Sequence, residues 1–181
     1  WDRVVDELIE SKREAHFESR LNNPGSLPAD AGNQSELVRR LLDVAVAQRR
    51  YDLSSVEAGP TGSGLDLLVT RTDGTSVGLA FIVVNRANAA TMALKRLCQG
   101  KYVPSQLIVV QDERRPIKWG PRGQDYRTEL EARGDAFVMR ELDLERHAQL
   151  DAANAVLLEA KSGDVEVEWN GEMRILSPED V

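Results

Sequence analysis

Residues 64–85 restrict the fold most, because two apolar runs there meet at one tight turn. Gly64-Leu65-Asp66-Leu67-Leu68-Val69 and Val77-Gly78-Leu79-Ala80-Phe81-Ile82-Val83-Val84-Asn85 are strand-length, and Thr72-Asp73-Gly74-Thr75 between them carries turn chemistry. The pair reads as a hairpin in which Asp66 faces the end of the second strand. Downstream, Ala89, Met92, Ala93, Leu94 and Leu97 follow helical spacing over Asn88 to Gly100, and Gln106-Leu107-Ile108-Val109-Val110 is almost wholly apolar. A strand of that kind is buried on both faces, which points to an α/β fold.

Upstream, Leu37, Leu41, Val44 and Ala45 give one face of a helix that starts at Ser35 as N-cap and ends near Arg50. A short strand at Tyr51 to Glu57 and a Gly-Pro-Thr-Gly-Ser-Gly turn follow, so the central order is α-β-β-β-α-β. Past a charged irregular stretch, Asp112 to Gly123, a helix is expected at Tyr126 to Arg133 and a fifth strand at Ala136 to Leu142. Trp1, Val4, Val5, Leu8 and Ile9 form an apolar stripe on a charged N-terminal helix that needs a cover. Leu144 to Ala160 reads as a helix ended by Gly163. Val165 to Leu176 reads as a hairpin around the type I′ pair Asn170-Gly171, with Glu166, Glu168 and Glu172 on one side and Val165, Val167, Trp169 and Ile175 on the other. The expected divisions are 1–34 (helix and linker), 35–142 (core) and 143–181 (helix and hairpin).

The 181 residues are 41% hydrophobic and suffice for one globular domain with appendages. The formal charge of −7 argues against coating of nucleic acid over the whole surface, leaving a local basic patch as the route to phosphate. Cys98 is the only cysteine, so no disulfide within the chain forms, and no Cys/His cluster has metal spacing. No apolar run approaches the roughly 18 residues of a membrane span. A cytoplasmic protein with no membrane partner is expected, and the start at Trp1 without Met suggests a piece of a longer chain. His16 and His147 are expected at the surface, and they have no nucleophile or acid in a triad arrangement.

The α-β-β-β-α-β order with Asp66 at the head of the second strand resembles the PD-(D/E)xK, or restriction-endonuclease-like, superfamily over about Ser35 to Gln111. The resemblance implies a mixed sheet, an acid at Asp66, an acid-x-Lys triplet on the next strand and a helical Glu, here Glu36, which together hold Mg²⁺ and activate water. The triplet falls on Ile82-Val83-Val84, and neither Ile82 nor Val84 can ligate a metal or donate a proton. Lys95 on the following helix is the candidate to replace the lysine. Catalytic roles for Asp66, Glu36 and Lys95, and any use of Mg²⁺, thus apply only to an active nuclease, and otherwise no cofactor is expected. The plainer reading makes Asp66 a strand acid that caps a turn or pairs with Arg71.

Arg114, Arg115, Lys118 and Arg122, interleaved with Trp119, are the densest basic cluster and the candidate nucleic-acid contact. The competing reading is a solvated loop with Trp119 tucked on the core. The sequence therefore favours a catalytically inactive nuclease-like domain of a larger bacterial nucleic-acid-handling or defence protein, binding DNA or a protein partner. The alternatives are a structural module docking on other domains or a second copy, and a metal-dependent nuclease with migrated residues.

Overall fold

In the computed structural model, which describes residues 2–84 and 86–181, the chain separates into two units: 28–143, and 1–27 together with 144–181. Trp1 and Asn85, the first stripe residue and the expected end of the second hairpin strand, lie outside the described residues. In chain order the main elements are α1 (Asp2–Asn22), α2 (Ala31–Ala47), β1 (Leu53–Ala58), β2 (Leu67–Arg71), β3 (Ser76–Ile82) and α3 (Ala87–Gln99). They continue with β4 (Gln106–Asp112), α4 (Pro121–Glu131), β5 (Phe137–Leu142), α5 (Leu144–Ser162), β6 (Glu166–Trp169) and β7 (Glu172–Ile175).

Residues 28–143 form the sheet unit. Its five strands lie in the order β1-β2-β3-β4-β5, with β1, β2 and β3 antiparallel and β4 and β5 parallel to β3. This is an α/β fold with a mixed sheet. Alternation along β3 sends Ala80 and Ile82 to one face and Phe81 to the other. On the first face they meet Ala90, Leu94 and Leu97 of α3, Leu130 of α4, and Leu107 and Val109 of β4. On the second, Phe81, Val83 and Leu67 meet Ala31, Val38 and Leu42 of α2. Leu94 and Val109 are wholly inaccessible, and burying such a side chain contributes about 1.5–3 kcal/mol. The continuous apolar run of β4 is thus explained by helices on both faces.

Two helix starts differ from expectation. α2 is capped at Asp30, whose Oδ1 accepts Asn33 N at 2.8 Å, so it begins ahead of Ser35. α4 begins at Pro121 behind Gly120, ahead of Tyr126, because proline suits the first helical position, where no N–H is needed.

The terminal unit packs the α1 stripe inside itself. Val5 and Ile9 join Val156, Ala160, Val165, Val167 and Leu176 in one cluster. The turn at Asn170 (φ 53°) and Gly171 (φ 80°) sets the β6–β7 register. That register corrects one sequence assignment: Glu166 opposes Ile175 and Trp169 opposes Glu172. Opposed residues share a face, so Ile175 stands exposed on the Glu166 side and Glu172 belongs to the Val167 side. His147 is corrected too, being 1% exposed on α5. His16 is partly covered, with Nε2 2.6 Å from Glu159 Oε1.

Candidate functional site

Asp66 sits just before β2, beside the outgoing half of β3. Its N–H donates to Leu79 O at 2.8 Å, and its Oδ2 accepts Phe81 N at 2.6 Å. The carboxylate therefore occupies a backbone donor of β3 and fixes the hairpin. Burial raises its pKa above the usual carboxylate value, and the Phe81 N–H partly offsets this. Across the hairpin, Ile82 is 2% exposed and belongs to the core against α3. Val84 packs partly on the same cluster.

The other candidate nuclease residues are not joined to Asp66. Glu36 is exposed on α2 and accepts Arg40 Nε at 3.2 Å. Lys95 makes no hydrogen bond or ion pair to Asp66 among the described residues. Among those residues, too, no three His, Cys, Asp or Glu side chains are grouped to hold a metal ion.

The basic cluster splits into distinct roles. Arg114 is fixed: Nε and Nη2 reach Asp112 Oδ1 and Oδ2 at 3.0 and 2.6 Å, and Nη2 also donates to Pro28 O at 2.8 Å. Asp112 is wholly buried, and its Oδ2 also accepts Gln34 Nε2 at 2.9 Å. Arg114 therefore ties the end of β4 to the entry of α2. Trp119 is half-buried against the core, and a Cβ on Gly123 would stand 3.0 Å from its ring. Arg115 is half-buried and Lys118 exposed in the β4–α4 loop.

Arg122 and Lys95 line the same groove. α3 supplies Asn88, Thr91, Met92 and Lys95, a face at helical spacing, while Gly120 to Gly123 and Tyr126 of α4 form the opposite wall of a cavity of about 630 Å³. The helices approach closely because residue 123 is glycine: a Cβ there would meet Thr91 Oγ1 at 2.8 Å. Among the described residues, no acidic side chain lines the groove. Neither cation has a hydrogen-bond or ion-pair partner among the described residues. Both helices begin without a side-chain cap, and their first turns follow the carboxyl ends of β3 and β4, where open α/β sheets bind ligands.

Sequence reasoning assigned Lys95 and Arg122 to different roles and missed the groove between them. Gly120-Pro121, read as irregular chain, was the available signal, since it marks a helix start. No helix among the described residues is long and apolar enough to cross a membrane. Compared with protein-family models, curated proteins and solved structures, the chain matches none at a significant level.

Proposed function

We propose that residues 28–143 are a restriction-endonuclease-like domain that binds nucleic acid without cutting it, within a larger cytoplasmic bacterial protein of nucleic-acid handling or defence. The hairpin carries the reading. Asp66 is the one acid at the position the superfamily uses, its carboxylate is engaged by Phe81 N, and the positions where the superfamily carries its second acid and lysine are Ile82 and Val84. A water-activating site needs converging carboxylates and a cation, and this edge offers one carboxylate against two aliphatic side chains. The antiparallel meander followed by a parallel crossover through α3 agrees with the superfamily's order.

Charge supports binding over inertness. The sheet unit holds 16 Lys and Arg against 15 Asp and Glu, so the chain's negative charge lies outside it. Arg115, Lys118 and Arg122 supply the phosphate contacts, and Arg114 holds the loop that presents them. The reading as an oligomerisation module loses its main motive, because Val5 and Ile9 are covered within the terminal unit.

Fluorescence anisotropy of labelled single-stranded and duplex DNA at two salt concentrations, with Mg²⁺ present and product length read on a gel, tests the proposal. Salt-sensitive binding with intact product is expected. Replacing Lys118 by Gln should lower the slope of log affinity against log salt by about one contact. Cleavage abolished by Asp66→Ala would instead establish a nuclease with Lys95 in the lysine's role, and absence of binding would leave a protein partner as the better reading.

A further inference from the structure

The α3–α4 groove combines features that nucleic-acid backbone binding in general does not need. Its two cations sit on opposite walls, Lys95 half-buried on α3 and Arg122 exposed on α4, with no acid among the described lining residues. Two unpaired cations facing one cavity leave a net charge of +2 for a ligand to match. A backbone phosphodiester carries one negative charge, whereas a phosphate monoester carries close to two at pH 7, its second pKa being about 6. Asn88 and Thr91 add neutral hydrogen-bonding groups to the same wall as Lys95. The uncapped first turns of α3 and α4 add backbone dipoles of the same sign.

The remaining lining is apolar. Met92 is 46% exposed on α3, with Tyr126, Ala87 and Pro121 along the same cavity. An exposed methionine beside a tyrosine offers a surface for a flat ring, while the cations take the charged end. A volume of about 630 Å³ falls within the range of small-molecule sites and is far too small for a duplex.

We propose that this groove binds a nucleotide 5′-phosphate monoester, with the phosphate between Lys95 and Arg122 and the base or sugar against Met92 and Tyr126. The ligand has two possible sources, a free nucleotide and the phosphorylated 5′ end of a strand; only the second rests on the nucleic-acid reading above. The site is separate from the Asp66 hairpin edge and requires no bond to be made or broken.

The test uses the whole chain, NMR amide shifts and calorimetry, with thymidine 5′-monophosphate, thymidine, and a ten-residue oligothymidylate carrying either a 5′-phosphate or a 5′-hydroxyl. The monophosphate should shift amides of α3 and α4 lining the groove, and thymidine should not. Lys95→Gln and Arg122→Gln should each weaken binding about tenfold or more, the scale of a charge-assisted hydrogen bond. Met92→Glu, an exposed position where folding is spared, should abolish it. Lys101→Gln, an exposed cation outside the groove, should leave it unchanged. Binding should also weaken below about pH 6, where the phosphate gains a proton.

A 5′-phosphate preference in the oligonucleotide pair identifies strand ends as the source, and equal binding of that pair alongside tight monophosphate binding identifies the free nucleotide. Shifts confined elsewhere, equal response to thymidine, or no response up to millimolar monophosphate overturns the inference. DNA binding that survives the groove variants, with no monophosphate binding to the groove, refutes the groove and leaves the nucleic-acid reading intact. Monophosphate binding without any DNA binding does the reverse.

Discussion

The two units hold the same number of acids and differ in what their cations do. Each contains 15 Asp and Glu, but the terminal unit has 7 Lys and Arg where the sheet unit has 16. Among the described residues of the terminal unit, ion pairs include Arg3–Glu7, Lys12–Glu159, Arg13–Glu10, Arg20–Asp151 and Arg174–Glu172, at least five of its seven cations. Among the described residues of the sheet unit, ion pairs hold four of the sixteen: Arg39, Arg40, Arg114 and Arg127. The net charge of −7 is therefore the sum of two unlike parts, −8 on the terminal unit and +1 on the sheet unit. Cations that serve folding are consumed by nearby acids, and those left over mark where a ligand's charge can be met.

The strongest way to break this division is to test a sheet-unit cation assigned to folding. Arg114→Met leaves the buried Asp112 carboxylate without its bidentate partner, and should destabilise the protein by about 3 kcal/mol in urea unfolding. Arg13→Met, which removes an exposed pair on α1, should cost about 0–1 kcal/mol. In DNA titrations at two salt concentrations, Arg114→Met should leave the salt slope unchanged once stability is corrected for. A stable variant with a reduced slope would return Arg114 to the phosphate contacts. Arg114→Met with Asp112→Leu should recover much of the loss, because no buried charge then remains.

A second test sets one acid from each unit against the other. Asp66 has a raised folded-state pKa because burial disfavours its charge. The folded form therefore takes up its proton more readily than the unfolded chain, so stability from this group is fullest below the unfolded value of 3.8 and falls as pH rises through the folded value. Glu159 has the opposite sign. Its hydrogen bond from Lys12 is the largest effect, and with His16 it outweighs burial to lower the pKa. Its contribution is present above the unfolded value of 4.5 and is lost as pH falls through the folded one. Acidification should thus loosen α1 and α5 through Glu159 while Asp66 favours the β2–β3 hairpin. Amide exchange between pH 7 and pH 3 reads both regions. Asp66→Asn should flatten only the hairpin response and Glu159→Gln only the helical one; the same pH response in both variants would contradict the assignment.

How far the sequence reaches follows from the kind of interaction involved. The strands, the order α-β-β-β-α-β and the Asn170-Gly171 turn were legible because each depends on local period or local backbone preference. The start of α2 was misplaced because Asp30 and Ser35 are both acceptable caps, and only the Asn33 N–H, engaged by Asp30, decides between them. Arg114 looked like a phosphate ligand because its neighbours are basic. Its partner, Asp112, stands two residues away, and that pairing depends on a turn whose closure is not visible in composition. The groove was least legible, since it exists only where α3 and α4 approach at Thr91 and Gly123, residues 32 positions apart in the sequence.

The smallest expected effect contrasts how the units make their left-handed turns. The terminal unit uses Asn170 and Gly171, residues suited to positive φ. The sheet unit, between α2 and β1, holds Arg49 (φ 53°), Tyr51 (φ 60°) and Asp52 (φ 54°) in the same region. Side chains with a Cβ lose about 1 kcal/mol or more there. Tyr51 is 79% exposed, so removing its ring forfeits little burial. Tyr51→Gly should consequently raise stability by about 0.5–1 kcal/mol, reduced from the full strain by the extra freedom glycine brings to the unfolded chain. Asn170→Ala should lower it by a similar amount. Both are read as shifts in the urea midpoint at constant slope. If Tyr51→Gly destabilises instead, the ring is contributing more than its exposure suggests. The cavity it lines with Leu42, Arg71 and Asp73 would be the place to look for what holds it.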